Sequence, residues 1–178
     1  MPQDFVTDIK TLRERARKHI ENGAITDGYK ADRDTVLRLL NESLATELVC
    51  VLRYKRHYYT AKGLNAQSIA DEFLEHANEE QGHADRLAER IVQLGGDPDL
   101  SPDTLTQRSH SEYIEGKGLI DMLEEDLVAE RIAIESYGEI VRYIGSDDPT
   151  TRRLFEELLA VEEEHAEDLI TLLQSHRD

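Results

Sequence analysis

Cysteine is almost missing from this chain: among 178 residues there is one, Cys50, so no internal disulfide can form. It sits in the apolar run LVCVL, which fits a buried structural thiol better than a redox centre. Proline is scarce, with four residues, and β-branched alternation hardly occurs, so long helices go uninterrupted and little supports a sheet. No apolar run approaches the length needed to cross a bilayer, and the start MPQDFVTDIK is polar where a secretory leader would be apolar. A soluble cytoplasmic chain with no membrane partner is the expectation. Basic residues are in deficit: 21 Lys and Arg stand against 38 Asp and Glu, a formal charge of -17. That balance argues against unassisted binding to nucleic acid, which needs a basic face. It leaves two readings, solvated helix faces or an acidic surface that gathers cations.

What the chain does have is apolar residues at helical spacing, in a length that makes one domain with a sizeable core. A first amphipathic segment spans about Asp4 to Asn22, with Val6, Ile9, Leu12, Ala16 and Ile20 at helical spacing, and Gly23 and Gly28 break it. A second helix starts near Asp34 as N-cap and runs to about Lys62, where Gly63 stops it. A third runs from about Ala66 to Leu94 and ends at Gly95-Gly96-Asp97-Pro98. Residues 97–111 hold Pro98 and Pro102, are too irregular for a core helix, and are long enough to cross a bundle. A fourth helix begins at about Ser111 or Gly118 and ends at Ile144, closed by Gly145. The last opens at Asp148-Pro149, with Asp as N-cap and Pro at the first helical position, and continues to about Ser175. The expected fold class is all-α. Two helical hairpins joined by a long crossover make a four-helix bundle over residues 31–178, and residues 1–30 form a helical extension.

One pattern occurs twice: a lone glutamate, then Glu-x-x-His about one helix later. The first copy is Glu47 with Glu80 and His83; the second is Glu130 with Glu162 and His165, at offsets of 33 and 32 residues. Within Glu-x-x-His, residues i and i+3 share a helix face, so both side chains reach one metal ion. Alone the motif is weak in a chain so rich in glutamate. Its weight comes from the partner glutamates. Glu47 lies among Leu44, Ala45, Leu48 and Val51, and Glu130 among Leu127, Ala129 and Ala133, where an unpaired carboxylate facing a core would be costly. Four carboxylates and two imidazoles from four helices are the ligand set of a carboxylate-bridged dinuclear site. Their charge matches two divalent cations. Oxygen and imidazole donors without thiolate suit iron or manganese, and accept zinc with less selectivity.

On these six positions the chain resembles the ferritin-like superfamily and, within it, the bacterioferritin type of diiron centre, over about residues 34–175. The resemblance implies a ferroxidase. Glu47 and His83 would bind one iron, Glu130 and His165 the other, and Glu80 and Glu162 would bridge the two. Two Fe(II) ions would be oxidised by O2 or H2O2, with the ferric product passing to a mineral inside a hollow homo-oligomeric shell. Such an activity serves iron storage, detoxification and protection from oxidative stress. Tyr54, seven residues after Glu47, matches a tyrosine near the diiron centre of bacterioferritins, where it would donate an electron or a hydrogen bond; core packing is the alternative. Tyr137 stands in the same relation to Glu130. Asp126 is either an acceptor for the N–H of a ligand histidine or a solvent-facing acid. His19, His57, His76, His110 and His176 lack the paired partner and are expected at the surface or an interface, with iron entry as an alternative for His76.

The chain also departs from bacterioferritins. They bind haem through a methionine directly after the bridging glutamate of the first hairpin; here that residue is Gln81, so no haem is expected. The chain ends thirteen residues after His165, too soon for the short fifth helix of twenty-four-subunit cages, and carries about thirty residues before the bundle. Both traits look more like dodecameric Dps-like proteins that keep a bacterioferritin-type site within each subunit, so a dodecameric cage is expected over a 24-mer or a dimer. The competing readings are a non-cage diiron or dimanganese oxidoreductase, such as a rubrerythrin-like peroxidase or a hydroxylase, and a metal-free helical interaction module. Rubrerythrins usually add a Cys-x-x-Cys iron domain, which one cysteine cannot supply.

Overall fold

The computed structural model describes residues 7–63 and 66–176. Three Asp-x-x-Thr sequences set helix starts. Asp8, Asp32 and Asp148 each accept the backbone N–H of the threonine three residues on, at 3.1, 3.5 and 2.9 Å. They also accept its hydroxyl, at 2.6, 2.9 and 2.6 Å. Each satisfies an orphan donor of the first turn and puts negative charge at the positive end of the helix dipole. The helices that follow are α1 (Ile9–Ala16), α2 (Arg33–Thr60) and α6 (Pro149–Ser175). Between α2 and α6 lie α3 (Ala66–Gln93), a single-turn α4 (Leu105–Arg108) and α5 (Leu119–Ile144). The N-cap of α2 is therefore Asp32 and not Asp34, because only Asp32 has a threonine three residues on to receive.

α3 ends where the Gly-Gly pair said it would. Gly95 turns left-handed at φ 70° and the Gly96 N–H reaches back to the Ile91 carbonyl at 3.0 Å. A Cβ on Gly96 would sit 2.5 Å from a methyl of Leu37, which would have to shift, so glycine is required by the backbone at Gly95 and favoured by packing at Gly96.

α2 packs on α3, and α5 on α6; α2 then meets α5, and α3 meets α6. The α2–α5 pair is antiparallel, since Glu47 faces Tyr137 while Tyr54 faces Glu130. Residues 94–118 cross from one hairpin to the other with little regular structure, yet their backbone is satisfied by α2. Asn41 Oδ1 accepts the Asp99 N–H at 2.7 Å, Thr46 Oγ1 accepts the His110 N–H at 2.9 Å, and Arg53 Nη1 donates to the Glu112 carbonyl at 3.0 Å. The second of the two expected starts for α5, at Gly118, is the one observed; Ser111 stays in this strapped segment.

The buried apolar residues fall into two clusters. One gathers Leu40, Leu44, Leu87, Ile91, Phe155 and Leu158; the other gathers Ile69, Phe73, Ala77, Leu123, Leu169 and Leu173. At about 1.5–3 kcal/mol for each fully buried large side chain, these clusters outweigh any surface pair as the source of stability. A band of buried polar residues separates them.

Of the N-terminal segment expected to be helical over Asp4 to Asn22, Asp4 and Val6 lie outside the described residues. The rest is α1, then a 3₁₀ turn over Ile20–Asn22, with His19 left-handed at φ 50° between them. None of α1 is buried: Ile9, Leu12 and Ile20 are 65%, 46% and 76% exposed. The apolar spacing is real, but no part of the described subunit covers it. Among the described residues no helix is long and apolar enough to cross a membrane.

Candidate metal centre

The polar band holds all six residues of the repeated motif. Glu47 and Glu130 come from the middles of α2 and α5, and Glu80, His83, Glu162 and His165 from α3 and α6. All are buried, His83 most exposed at 6%. Glu47, Glu80, His83 and Glu162 form one group whose ligand atoms lie within 4.8 Å of one another; Glu80, Glu130, Glu162 and His165 form a second. Glu80 and Glu162 belong to both. Each of the two turns one oxygen to each histidine. Glu80 Oε2 is 3.2 Å from His83 Nδ1 and its Oε1 is 3.5 Å from His165 Nδ1. Glu162 Oε1 is 3.0 Å from His83 Nδ1 and its Oε2 is 3.5 Å from His165 Nδ1. The remaining two glutamates take one side each: Glu47 lies 3.6 Å from His83, and Glu130 3.9 Å from His165.

Across the bundle, the Tyr54 hydroxyl donates to Glu130 Oε1 and the Tyr137 hydroxyl donates to Glu47 Oε1. Each lone glutamate is thus aimed by a tyrosine from the opposite hairpin. Several buried polar atoms are left without hydrogen-bond geometry: Glu80 Oε1, Glu130 Oε2, both oxygens of Glu162, and His165 Nδ1. Unpaired carboxylate oxygens in a core cost several kcal/mol unless a cation or a proton meets them. The donor set, all oxygen and imidazole, fits hard to borderline divalent metals.

Without metal, protons fill that role. Burial disfavours the imidazolium of His83, yet Glu162, Glu47 and Glu80 outweigh it and hold its pKa up at about 12. Burial is overcome in the same way at His165, where Glu162, Glu80 and Glu130 also hold the pKa at about 12. Burial, and then Glu80, push Glu47 up to about 8. Burial raises Glu130 well above the usual carboxylate range, reinforced by Glu80 and Glu162. Glu80 moves the other way: burial and Glu162 would raise it, but hydrogen bonds from Glu47, His165 and His83 bring it down. Any metal bound by these groups would have to displace those protons, so its uptake would release them.

The family model for the ferritin-like domain matches residues 37–177, most of α2 and the whole of α3, α5 and α6. The chain belongs to the ferritin-like family. The bacterioferritin of Brucella melitensis is 35% identical over 141 residues, 78% of this chain and 82% of that protein. A protein of Nostoc named as a nutrient stress-induced DNA-binding protein is 29% identical over 172 residues, 94% of this chain and 92% of that one. Among solved structures, the dodecameric thioferritin of Bacteroides fragilis, a bacterioferritin-related protein, superposes with a TM-score of 0.80 at 31% identity, covering 83% of this chain and 89% of its own. The bacterioferritin of Rhodobacter capsulatus, solved with a metal-free dinuclear site and a haem iron, gives 0.73 at 31% identity over 83% and 88%. The all-α ferritin-like bundle with its long crossover is the fold this family shares.

Around the six motif residues of this ferritin-like chain, some expectations change. Asp126 is neither a partner of a motif histidine nor solvent-facing. It is fully buried and accepts from Arg53 Nε at 2.7 Å, with His57 Nδ1 at 2.8 Å. The antiparallel α2–α5 pairing puts those two residues opposite it. His57 and His76, expected at the surface or an interface, are 0% and 2% exposed. His57 Nε2 lies 3.1 Å from the Ile114 carbonyl and so helps strap the crossover. His76 stacks on His165 with ring centroids 4.0 Å apart, and its Nδ1 is 3.2 Å from the Tyr54 hydroxyl. Burial, and the charge of His165, push His76 down to about 3. Glu79 escaped notice in the sequence: its Oε2 sits 2.7 Å from His165 Nε2 and fixes the ring that turns Nδ1 inward. The only signal was an acid directly before Glu80, one of many acids on α3. Cys50 is buried as expected, and burial raises its thiol well above the ordinary range.

Proposed function

We propose that the protein is a ferroxidase that takes up two Fe(II) ions per subunit and oxidises them with O2 or H2O2. The observation that carries this reading is the sharing of Glu80 and Glu162 by two ligand groups, each glutamate with one oxygen toward each histidine. Iron supplies the one-electron chemistry. Two ferrous ions give up one electron each; O2 takes both with two protons to become H2O2, or H2O2 takes both with two protons to become two waters. Glu80 and Glu162 would span the pair, Glu47 with His83 and Glu130 with His165 would cap it, and Tyr54 and Tyr137 would hold the capping carboxylates. Tyr54 would in addition donate an electron, the role that the resemblance to bacterioferritins implies for it. The apolar clusters on both sides keep bulk water from the centre. Manganese and zinc fit the same donors, zinc without turnover.

The dodecameric Bacteroides fragilis relative supports a homo-oligomeric cage, with a dodecamer preferred to a 24-mer or a dimer, for iron storage and oxidative-stress protection. Gln81, which donates to Asp85 at 3.0 Å, supports a protein without haem. The Nostoc relative carries DNA binding in its name. With 38 acidic against 21 basic residues, this chain is proposed to act without nucleic acid, and a gel-shift at low salt giving a stable complex would refute that part. The central test is anaerobic loading of Fe(II) followed by O2 or H2O2 in a stopped-flow spectrometer. Two irons per subunit, oxidised together, are expected. Unchanged oxidation in Glu47→Ala and Glu130→Ala would overturn the assignment.

A further inference from the structure

Beyond the dinuclear group, one buried side chain turns a ring nitrogen away from it toward two acids outside the repeated motif. His76 is 2% exposed, and its Nδ1 lies 3.2 Å from the Tyr54 oxygen. The single hydroxyl proton of Tyr54 goes to Glu130, so the tyrosine oxygen accepts and His76 Nδ1 carries the hydrogen. Nε2 of a neutral ring with that tautomer has a bare lone pair. It faces Glu72 Oε1 at 3.5 Å and Asp168 Oδ2 at 4.0 Å, both also electron donors. Three lone-pair donors turned on one another repel unless a proton or a cation stands between them, and the 3.5 and 4.0 Å separations need to close by only a few tenths of an ångström to match the roughly 3–3.5 Å between neighbouring ligands of one metal ion. The ligand atoms of Glu72, His76 and Asp168 all lie within 4.8 Å of one another. Asp168 is half exposed and Glu72 partly so, which opens the group to solvent.

The groups also connect. His76 belongs to a further set with Glu130 and His165, and those two belong to the dinuclear set with Glu80 and Glu162. Neighbouring ligand sets therefore share residues from the solvent edge to the centre. We propose that Glu72, His76 and Asp168, between α3 and α6, form a third divalent-cation site that receives an ion from solvent and hands it on to the dinuclear centre. The binding site stands by itself; its place as a loading step rests on the ferroxidase reading. The corresponding positions of the other hairpin pair are Leu154, Leu158 and Arg86, which carry no such trio of donors.

Equilibrium dialysis of the full chain against Co(II) without oxidant, with metal counted by mass spectrometry, separates the two readings. The native protein is expected to hold a third ion per subunit, several-fold weaker than the first two. Glu72→Gln with Asp168→Asn, both changes on solvent-accessible side chains, should remove the third ion, keep the other two, and slow Fe(II) loading several-fold without changing its end point. Saturation of the native protein at two ions, or a third ion that survives in the double variant, overturns the third site and leaves the dinuclear reading standing. A single ion that the double variant loses keeps the third site and removes the dinuclear reading. No ion bound at all removes both.

Discussion

The two sides of the metal centre are built from corresponding residues and yet differ in what surrounds them. Glu47 and Tyr54 on α2 recur 83 residues later as Glu130 and Tyr137 on α5, and Phe73, Glu80 and His83 on α3 recur 82 residues later as Phe155, Glu162 and His165 on α6. Outside that repeat the correspondence breaks. The Glu130 side has His76, Glu79 and the buried trio Arg53, His57 and Asp126. The matching positions on the Glu47 side are Leu158 and Val161, then Ser136, Ile140 and Ser43. One side is lined by ionisable side chains, the other by apolar residues and serines. The duplicated innermost donors suit the proposed pair of metal ions, and the unduplicated surroundings suit the single proposed route for cations.

The comparison can be broken most severely at the residues both sides share. Glu80→Ala or Glu162→Ala is expected to lose both ions and slow iron oxidation more than about 100-fold, beyond what supporting residues cost. Stopped-flow absorbance at fixed iron would read it, and retention of two tightly bound ions in either variant would contradict the sharing. Next comes the charged trio. Arg53→Met leaves Asp126 buried against His57 alone and should cost about 3–5 kcal/mol of unfolding free energy, while its counterpart change Ser136→Ala should cost under about 0.5 kcal/mol. Denaturant unfolding of the metal-free forms makes that comparison, and equal losses would mean the charge asymmetry has no energetic weight.

The tyrosines test the symmetry itself. Tyr54→Phe and Tyr137→Phe each free one capping glutamate, and each should weaken one ion of the pair by about 10-fold while sparing the other. Calorimetric titration with Co(II) resolves the two steps. The remaining test is pH-dependent and common to both sides. Glu47 titrates at about 8 in the folded chain against 4.5 in the unfolded one, so its protonated form stabilises the metal-free fold fully below pH 4.5, and that contribution is lost as pH rises to 8. His83 and His165, raised from 6.5 to about 12, contribute with the same sign above pH 6.5. Melting of the metal-free protein should therefore fall steadily from pH 5 to pH 9, and metal loading should flatten the slope and release protons. A metal-free melting temperature that rises over this range would show that the imidazoles are not the proton store.

The helices and the six converging side chains were legible because their signals are local: glycine stops, apolar spacing and a ligand pair one turn apart. Asp32 was also legible in principle, through Thr35 three residues on, but a second aspartate at Asp34 competed for the same role. Asp126, His57 and Arg53 were not. Their pairing depends on how far α5 is shifted along α2, and no residue of either helix encodes that by itself. His76 looked like an exposed histidine on an acid-rich helix for the same reason, since its burial comes from α6 and Tyr54. The first segment fails in the opposite direction: its apolar spacing is present, but Ile9, Leu12 and Ile20 stay largely exposed in the described subunit.

The crossed tyrosines have a mechanical consequence. Each hairpin carries its own glutamate and histidine, but borrows from the other the hydroxyl that aims the glutamate. A slip of α2 along α5 by a single residue, about 1.5 Å, would part both contacts together. The centre would therefore work as a gauge of alignment between the hairpins: the proposed metal would be gripped only when the two halves sit in register, and once gripped it would rivet them there.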